Sequence, residues 1–177
     1  PMGFWTDSPD ILAGKDLEAG GTWFAVSTSG RFAALTNYRD LNQIKTNAPS
    51  RGELVIQALE FSGPIEKYLA DLEKRADTYS GFNLLAGELD GDVFWYSNQA
   101  KGITRVPPGI HGLSNHLLDT PWPKVEKGKT AFESAINENP RDNNALFDLL
   151  SDTVWPDDRD LPDTGIGLEW ERILSPV

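Results

Sequence analysis

The sequence predicts an α+β protein in which two antiparallel sheet pieces are covered by helix pairs. Three observations carry this prediction. Strand-type and helix-type segments come in blocks, strands then helices then strands then helices, and such grouping favours α+β layers over βαβ units. Two pairs of β-rich runs are joined by the turn dipeptides Ser29-Gly30 and Asp90-Gly91. Between and after them, apolar residues recur at helical spacing. A length of 177 residues suits one domain, residues 1–177.

Taken in chain order, residues 1–20 read as a loop, because "TDSPDILAGKDLEAGG" is rich in Asp, Gly and Pro. Runs Thr22–Thr28 and Arg31–Tyr38 form the first hairpin. "SRGELVIQALEF" opens a helix with a capping box, Ser50 bonding the amide of Glu53 while Glu53 reaches back. Leu54, Val55, Ala58 and Leu59 are its buried stripe. Pro64, a favoured first-turn residue, starts a second helix with Ile65, Tyr68, Leu69 and Leu72 on one face. "GFNLLAGELDGDVFWYSN" is the clearest hairpin, and Asp90-Gly91 is the type I′ pair with positive φ at both positions. "GITRVPPGIHGLSN" continues as strand, bent at Pro107-Pro108 and suited to a sheet edge. Gly128 weakens the next helix, which is expected from about Lys129 to Asn139, with Asp119 or Thr120 as a cap before Pro121. Another helix runs from Asn143 to Ser151, and the Asp- and Pro-rich tail from Asp157 ends in "GLEWERILSPV".

Composition excludes several functions. Hydrophobic residues make up 39% and charged residues 24%, which is ordinary for a folded chain. The net charge is -11 and no Lys/Arg cluster occurs, so nucleic acid and anionic membrane are poor partners. No apolar run approaches the roughly 18 residues of a membrane span. With no cysteine, the chain has no disulfide, thiolate metal site or cysteine nucleophile, and a cytoplasmic setting fits best.

Both histidines lie in "GIHGLSNHLLDTPWPKV". His111 and His116 are the candidate metal ligands. Their five-residue spacing aligns them on neither a helix face nor a strand face, and only Asp119 is close in sequence, so ordinary loop histidines are the simpler reading. A single imidazole is enough for haem iron. An apolar slot with Arg105, Lys124 and Trp122 nearby would complete such a site, but the residues alone do not distinguish it from a surface histidine, which is the simpler reading. Ser114, His111 and Asp119 make a Ser-His-Asp set, but without a G-x-S-x-G elbow. No phosphate-loop motif occurs. Asn37, Asn83, Asn98 and Asn115 each stand within or just after an apolar run. An asparagine there serves a turn or, if several converge, an oxyanion.

The blocks "DILAGKDLEAGGTWFAV", "GRFAALTNYRD", "SRGELV", "YSGFNLLAGEL", "YSN" and "GIHGLSNHLLDTPWPKVEKGK" together resemble the NRDE family, also called the Transport and Golgi organisation 2 family. The resemblance spans about residues 5–133. It implies an αββα sandwich like that of N-terminal nucleophile hydrolases, with two stacked antiparallel sheets. It also implies a chain without its Met-Cys and Asn-Arg-Asp-Glu start and without its closing strands.

The same resemblance implies intracellular haem binding and trafficking, with haem-acceptor proteins as partners. His111 and His116 are then the imidazole contacts. Asn115, Arg39, Asn83, Trp122 and Lys124 are the other candidate ligand-binding residues. By the hydrolase resemblance, Asn115 and Asn83 would be oxyanion donors and Arg39 would orient a carboxylate or carbonyl. The nucleophile is absent from this chain, so catalysis by it is not expected. An acyl-CoA or lipid-binding module is a further alternative, needing an apolar groove beside cations such as Arg39, Arg51 or Lys124.

Overall fold

A computed structural model describes residues 2–40 and 45–176. The chain divides into two compact units. One comprises Pro1–Tyr38 and Gln43–Pro107, the other Arg39–Asn42 and Pro108–Val177.

The first unit is built on one antiparallel sheet. Its strands are β1 (Gly3–Phe4), β2 (Ile11–Ala13), β3 (Phe24–Ser27), β4 (Arg31–Asn37), β5 (Phe82–Glu88), β6 (Val93–Ser97) and β7 (Thr104–Val106). They pair in sequence order. In place of the two sheet pieces read from the sequence, both hairpins therefore belong to one seven-stranded sheet. The joint is β4 against β5, paired along their whole length from Arg31↔Glu88 to Asn37↔Phe82. The mixed α+β class holds. Residues 1–20, read as a loop, contain β1 and β2. Ile11 and Ala13 alternate inward there and are buried, and β2 pairs with β3 through Leu12↔Val26.

Helices α1 (Glu53–Glu60) and α2 (Ile65–Glu73) cover one face of the sheet. The expected stripes are the buried ones: Leu54, Val55, Ala58 and Leu59 on α1, and Ile65, Tyr68, Leu69 and Leu72 on α2. They meet Ala25, Ala33, Leu35, Leu84, Ala86, Phe94 and Tyr96 from the sheet. Full burial of each large side chain contributes about 1.5–3 kcal/mol. Tyr68 is admitted to this core because its hydroxyl donates to the Leu54 carbonyl at 2.9 Å.

Two local expectations fail here. The capping box does not form: Gly52 occupies the cap position with no side-chain bond to the helix. Glu53 Oε1 instead accepts from the Tyr79 hydroxyl at 2.5 Å, a tertiary partner that outcompetes the local one. The β5–β6 turn is not type I′, since neither Asp90 nor Gly91 has positive φ. The connection is longer, with Gly91 N–H bonded to the Glu88 carbonyl at 3.1 Å and Glu88 N–H to the Asp92 carbonyl at 3.3 Å.

In the second unit, residues 108–122 form an irregular loop. Helices α3 (Pro123–Glu138), α4 (Asn143–Leu150) and α5 (Leu168–Ile173) follow. The strand expected through "GIHGLSN" is absent, because β7 stops at Val106 before the double proline. Asn115 consequently sits in the loop and not at a strand end. Helix α3 begins six residues before the expected start, with Pro123 in its first turn and Val125 buried. Packing of that turn overrides the helix-weakening effect of Gly128. Helix α4 is capped by Asp142, whose Oδ1 accepts from the amides of Asn144 and Ala145 at 3.0 and 3.3 Å. Among the described residues, no helix is long and apolar enough to cross a membrane.

Candidate functional site

The loop before α3 closes on itself at Gly112 and Asp119. Asp119 N–H donates to the Gly112 carbonyl at 2.8 Å, and Gly112 N–H donates to Asp119 Oδ1 at 3.0 Å. Asp119 adopts φ 56°, a left-handed conformation that aspartate tolerates better than most residues. Gly112 is needed for contact: a Cβ there would lie 2.6 Å from Val125 Cγ1 on α3.

This closure aims the Asp119 carboxylate at two further groups, His111 Nδ1 at 2.6 Å and Lys129 Nζ at 3.1 Å. Burial pushes the Asp119 carboxyl up, but the His111 and Gly112 bonds and the Lys129 charge outweigh it and hold the carboxyl below its ordinary range. With Nδ1 bonded to a carboxylate, the neutral His111 ring carries its lone pair on Nε2. That is the arrangement in which carboxylates orient metal-binding histidines.

His111 lines a cavity of about 430 Å³. Its walls are mostly apolar, formed by Ile110, Leu113, Val125, Phe132, Leu149 and Leu150. Lys124, Lys129 and Ser114 supply the polar part. Lys124, Val125, Gly128, Lys129 and Phe132 share one face of α3 at spacings of four. Small-molecule sites run to roughly 300–1,000 Å³ with few polar groups, and this cavity fits that description.

The other candidates of this unit form a second cluster. The Trp122 ring has the Arg39 guanidinium 5.0 Å from its centroid and the His116 ring at 5.5 Å. Arg39 donates to Glu171 Oε2 at 2.9 Å and to Asn115 Oδ1 at 3.4 Å, and its amide donates to the Asn115 carbonyl at 2.7 Å. Glu171 is completed by the Thr164 amide on Oε1 at 2.8 Å. Lys124 Nζ donates to the Leu174 carbonyl at 2.9 Å. Burial lowers the pKa of Lys124, the like charge of Arg39 adds to this, and Glu171 opposes it.

His116 belongs to this cluster through Thr120. The Thr120 hydroxyl donates to the Leu117 carbonyl at 2.8 Å, so its oxygen accepts from His116 Nδ1 at 2.9 Å. Burial depresses the His116 pKa below its ordinary 6.5. A depressed histidine favours the neutral ring in the folded state, so its contribution to stability is full above pH 6.5 and falls as pH drops toward the folded value. An NMR titration of the two imidazoles should show the His116 midpoint below 6.5. A midpoint above that value contradicts the burial seen at this ring.

Asn83 lies in the sheet unit, fully buried on β5. Its Nδ2 donates to Thr36 Oγ1 at 3.1 Å, and its Oδ1 accepts from Trp95 Nε1 at 3.3 Å. Asn98 accepts from the Phe82 amide at 2.9 Å and donates to the Ala76, Tyr79 and Ser80 carbonyls. Asn83, Asn98 and Asn115 thus have three different sets of partners. His111 and His116 likewise have separate partners, and no group of three or more His, Cys, Asp or Glu placed to hold a metal ion occurs among the described residues. Lys129, Phe132, Leu149 and Leu150 were not read as site residues from the sequence; for the first two the available signal was their spacing of four from Val125 and Gly128 on α3.

Fold and site together define an α+β protein with a seven-stranded antiparallel sheet and an apolar cavity edged by cations. The chain belongs to the Transport and Golgi organisation 2 family, whose model matches residues 1–177. It is 39% identical over 185 residues to the Transport and Golgi organization protein 2 homolog of Bos taurus, covering 98% of this chain and 66% of that one. The Mus musculus homolog is 37% identical with the same coverage. The Drosophila melanogaster Transport and Golgi organization protein 2 is 28% identical over 87% of this chain and 62% of its own length. The chain thus spans 66% of the length of the mammalian relatives it matches.

Proposed function

We propose that the protein is a carrier for a hydrophobic anionic small molecule, with haem as the cargo, delivered to acceptor proteins in the cytoplasm. The observation that supports this best is Gly128. It stands inside α3 and lines the cavity, and a Cβ built there meets nothing within 4 Å. A helix-interior glycine costs about 0.5–1 kcal/mol relative to alanine. Nothing in the packing requires it, so keeping the cavity open is the physical reason we assign. His111, oriented by Asp119, would contact the iron. Lys124 and Lys129 would meet the propionates, while Ile110, Val125, Phe132 and Leu150 would cover the ring. In this reading Arg39, Asn115, Trp122 and His116 brace the loop that carries His111, and a single axial contact suits a carrier that must release its load.

The αββα sandwich of N-terminal nucleophile hydrolases is part of the same proposal. Phe4 and Phe24, on the sheet face opposite α1 and α2, are 60% and 51% exposed, as strands awaiting a second sheet would be. Amide hydrolysis is the less favoured activity, because an oxyanion donor must offer its amide N–H and Asn83 Nδ2 is already given to Thr36 Oγ1 at 3.1 Å.

Haem added to the wild-type chain should give a saturable Soret shift near one equivalent. Gly128→Leu fills the cavity while improving the helix, so it should raise stability by about 0.5–1 kcal/mol yet weaken haem binding at least about tenfold. Absorbance titration and denaturant unfolding read the two effects separately. Haem binding by Gly128→Leu that equals wild type would remove the cavity from the proposal.

A further inference from the structure

The sheet unit holds a second cavity, of about 420 Å³, with a polar lining. Lys45, Ser50, Arg51, Ser80 and Thr22 line it, with Trp23 among them. One wall is bare backbone: Gly21 and Gly52 approach so closely that a Cβ on Gly21 would lie 2.4 Å from the Gly52 carbonyl carbon. Thr22 N–H donates to the Gly52 carbonyl at 3.2 Å and fixes that contact.

The charges here run against the composition. The chain carries 27 acidic and 16 basic residues, yet two cations share this cavity, and neither forms an ion pair with a carboxylate among the described residues. Arg51 Nη1 donates to the Gly81 carbonyl at 2.9 Å, and Lys45 Nζ donates to the Asp77 carbonyl. Both partners are neutral. The one carboxylate in the lining, Asp16, has its Oδ1 bonded to the amides of Glu18 and Ala19 at 2.9 and 3.1 Å. Arg39 offers the contrast: its burial is matched by Glu171 at 2.9 Å. Burial lowers the pKa of Arg51, and no acid opposes that effect. A partly buried guanidinium with several remaining donors, beside a lysine and two serine hydroxyls, has the donor set of an oxyanion site.

We infer that this cavity binds the phosphate group of a phosphorylated small molecule. Arg51 is the principal donor, Lys45 supplies the second charge, and Ser50 and Ser80 present hydroxyls to the remaining oxygens. Donors from two cations and two hydroxyls suit the three peripheral oxygens of a phosphate ester better than a planar carboxylate. The cavity also has more room than a bare phosphate needs. Trp23, half exposed at 49%, offers an aromatic face for the organic portion. None of these residues lines the apolar cavity, so this site and the haem proposal stand or fall separately.

Inorganic phosphate and phenyl phosphate, titrated at constant ionic strength against chloride, test the inference. Phenyl phosphate should bind saturably by calorimetry and more tightly than inorganic phosphate. Lys45→Gln and Arg51→Gln should each weaken it on the order of tenfold. The Lys45 change is at an exposed side chain, and glutamine at 51 keeps a donor for Gly81, so folding is preserved as a control by circular dichroism. Equal phenyl phosphate affinity in wild type and Lys45→Gln overturns the inference, as does binding no stronger than chloride. Sedimentation with phosphatidic acid vesicles separates the remaining source of phosphate. Vesicle binding that phenyl phosphate fails to displace also overturns a small-molecule site, and no sedimentation upholds it.

Discussion

Replacing Arg39 with methionine lowers the free energy of unfolding by about 3–5 kcal/mol, and so does replacing Glu171 with glutamine. The side chains of this pair are 10% and 3% exposed, so neither charge regains water when its partner is removed. Each single change strands one ion in a desolvated site, and the cost is that of the stranded ion. Lys124 Nζ donates to the Leu174 and Pro176 carbonyls, and the ion pair of Glu171 among the described residues is with Arg39. The double change Arg39→Met with Glu171→Leu removes both charges and should recover most of the loss, because an apolar replacement of a buried pair is often neutral. Lys74–Asp71, at 74% and 50% exposure, is the internal contrast, where removal should cost under about 1 kcal/mol. Denaturant midpoints of the four variants check this. Single variants within 1 kcal/mol of wild type would mean that water reaches the pair, against the burial observed.

How far this pair could be read in the sequence depends on distance along the chain. Arg39 and Glu171 are 132 residues apart, and "LEWERI" looked like part of an acidic tail. A glutamate only 2% exposed is invisible to a hydropathy pattern, which assigns such residues to solvent. The stripes of α1 and α2 were legible because their burial follows a 3.6-residue period within one segment. The β3–β4 and β5–β6 hairpins were legible for the same local reason, with a period of two. That both hairpins form one sheet was not legible. The deciding contact is β4 with β5, some fifty residues apart, and strand periodicity says which residues face inward but not which strand lies alongside.

The site divides in the same way. The family motif placed His111, His116, Asn115, Trp122 and Lys124 in one stretch, and all five lie in the second unit with Arg39. Their grouping by partner could not be read from spacing, because it follows from the left-handed Asp119 that closes the loop on Gly112. Once that turn is made, the carboxylate faces His111 and Lys129 while Thr120 faces His116. Ser50 and Glu53 show the opposite case: the local pattern promised a capping box, and Tyr79, remote in sequence, took the glutamate.

Asp119 therefore makes the sharper test of the carrier. His111→Ala removes the proposed iron contact outright, so the Soret maximum should move and affinity should fall to what the apolar walls, Lys124 and Lys129 provide. Asp119→Asn keeps the imidazole but replaces the acceptor on its Nδ1 by a neutral amide. Outer partners of metal-binding histidines are worth about 10–100-fold in affinity, so the asparagine variant should bind haem that much more weakly with an unshifted spectrum. The loss has a second cause to separate, because Asp119 also holds the Gly112 amide. An asparagine oxygen can still accept that bond, and unfolding curves of Asp119→Asn report any residual loosening. His116→Ala, whose ring faces Thr120 and Trp122, should leave the haem spectrum unchanged. A loss of the Soret shift in His116→Ala alone would reverse the assignment of the two histidines. Unchanged haem affinity in both His111→Ala and Asp119→Asn would leave an apolar cavity with two lysines, and a long-chain fatty acid that then competes haem away would make acyl chains its ligand.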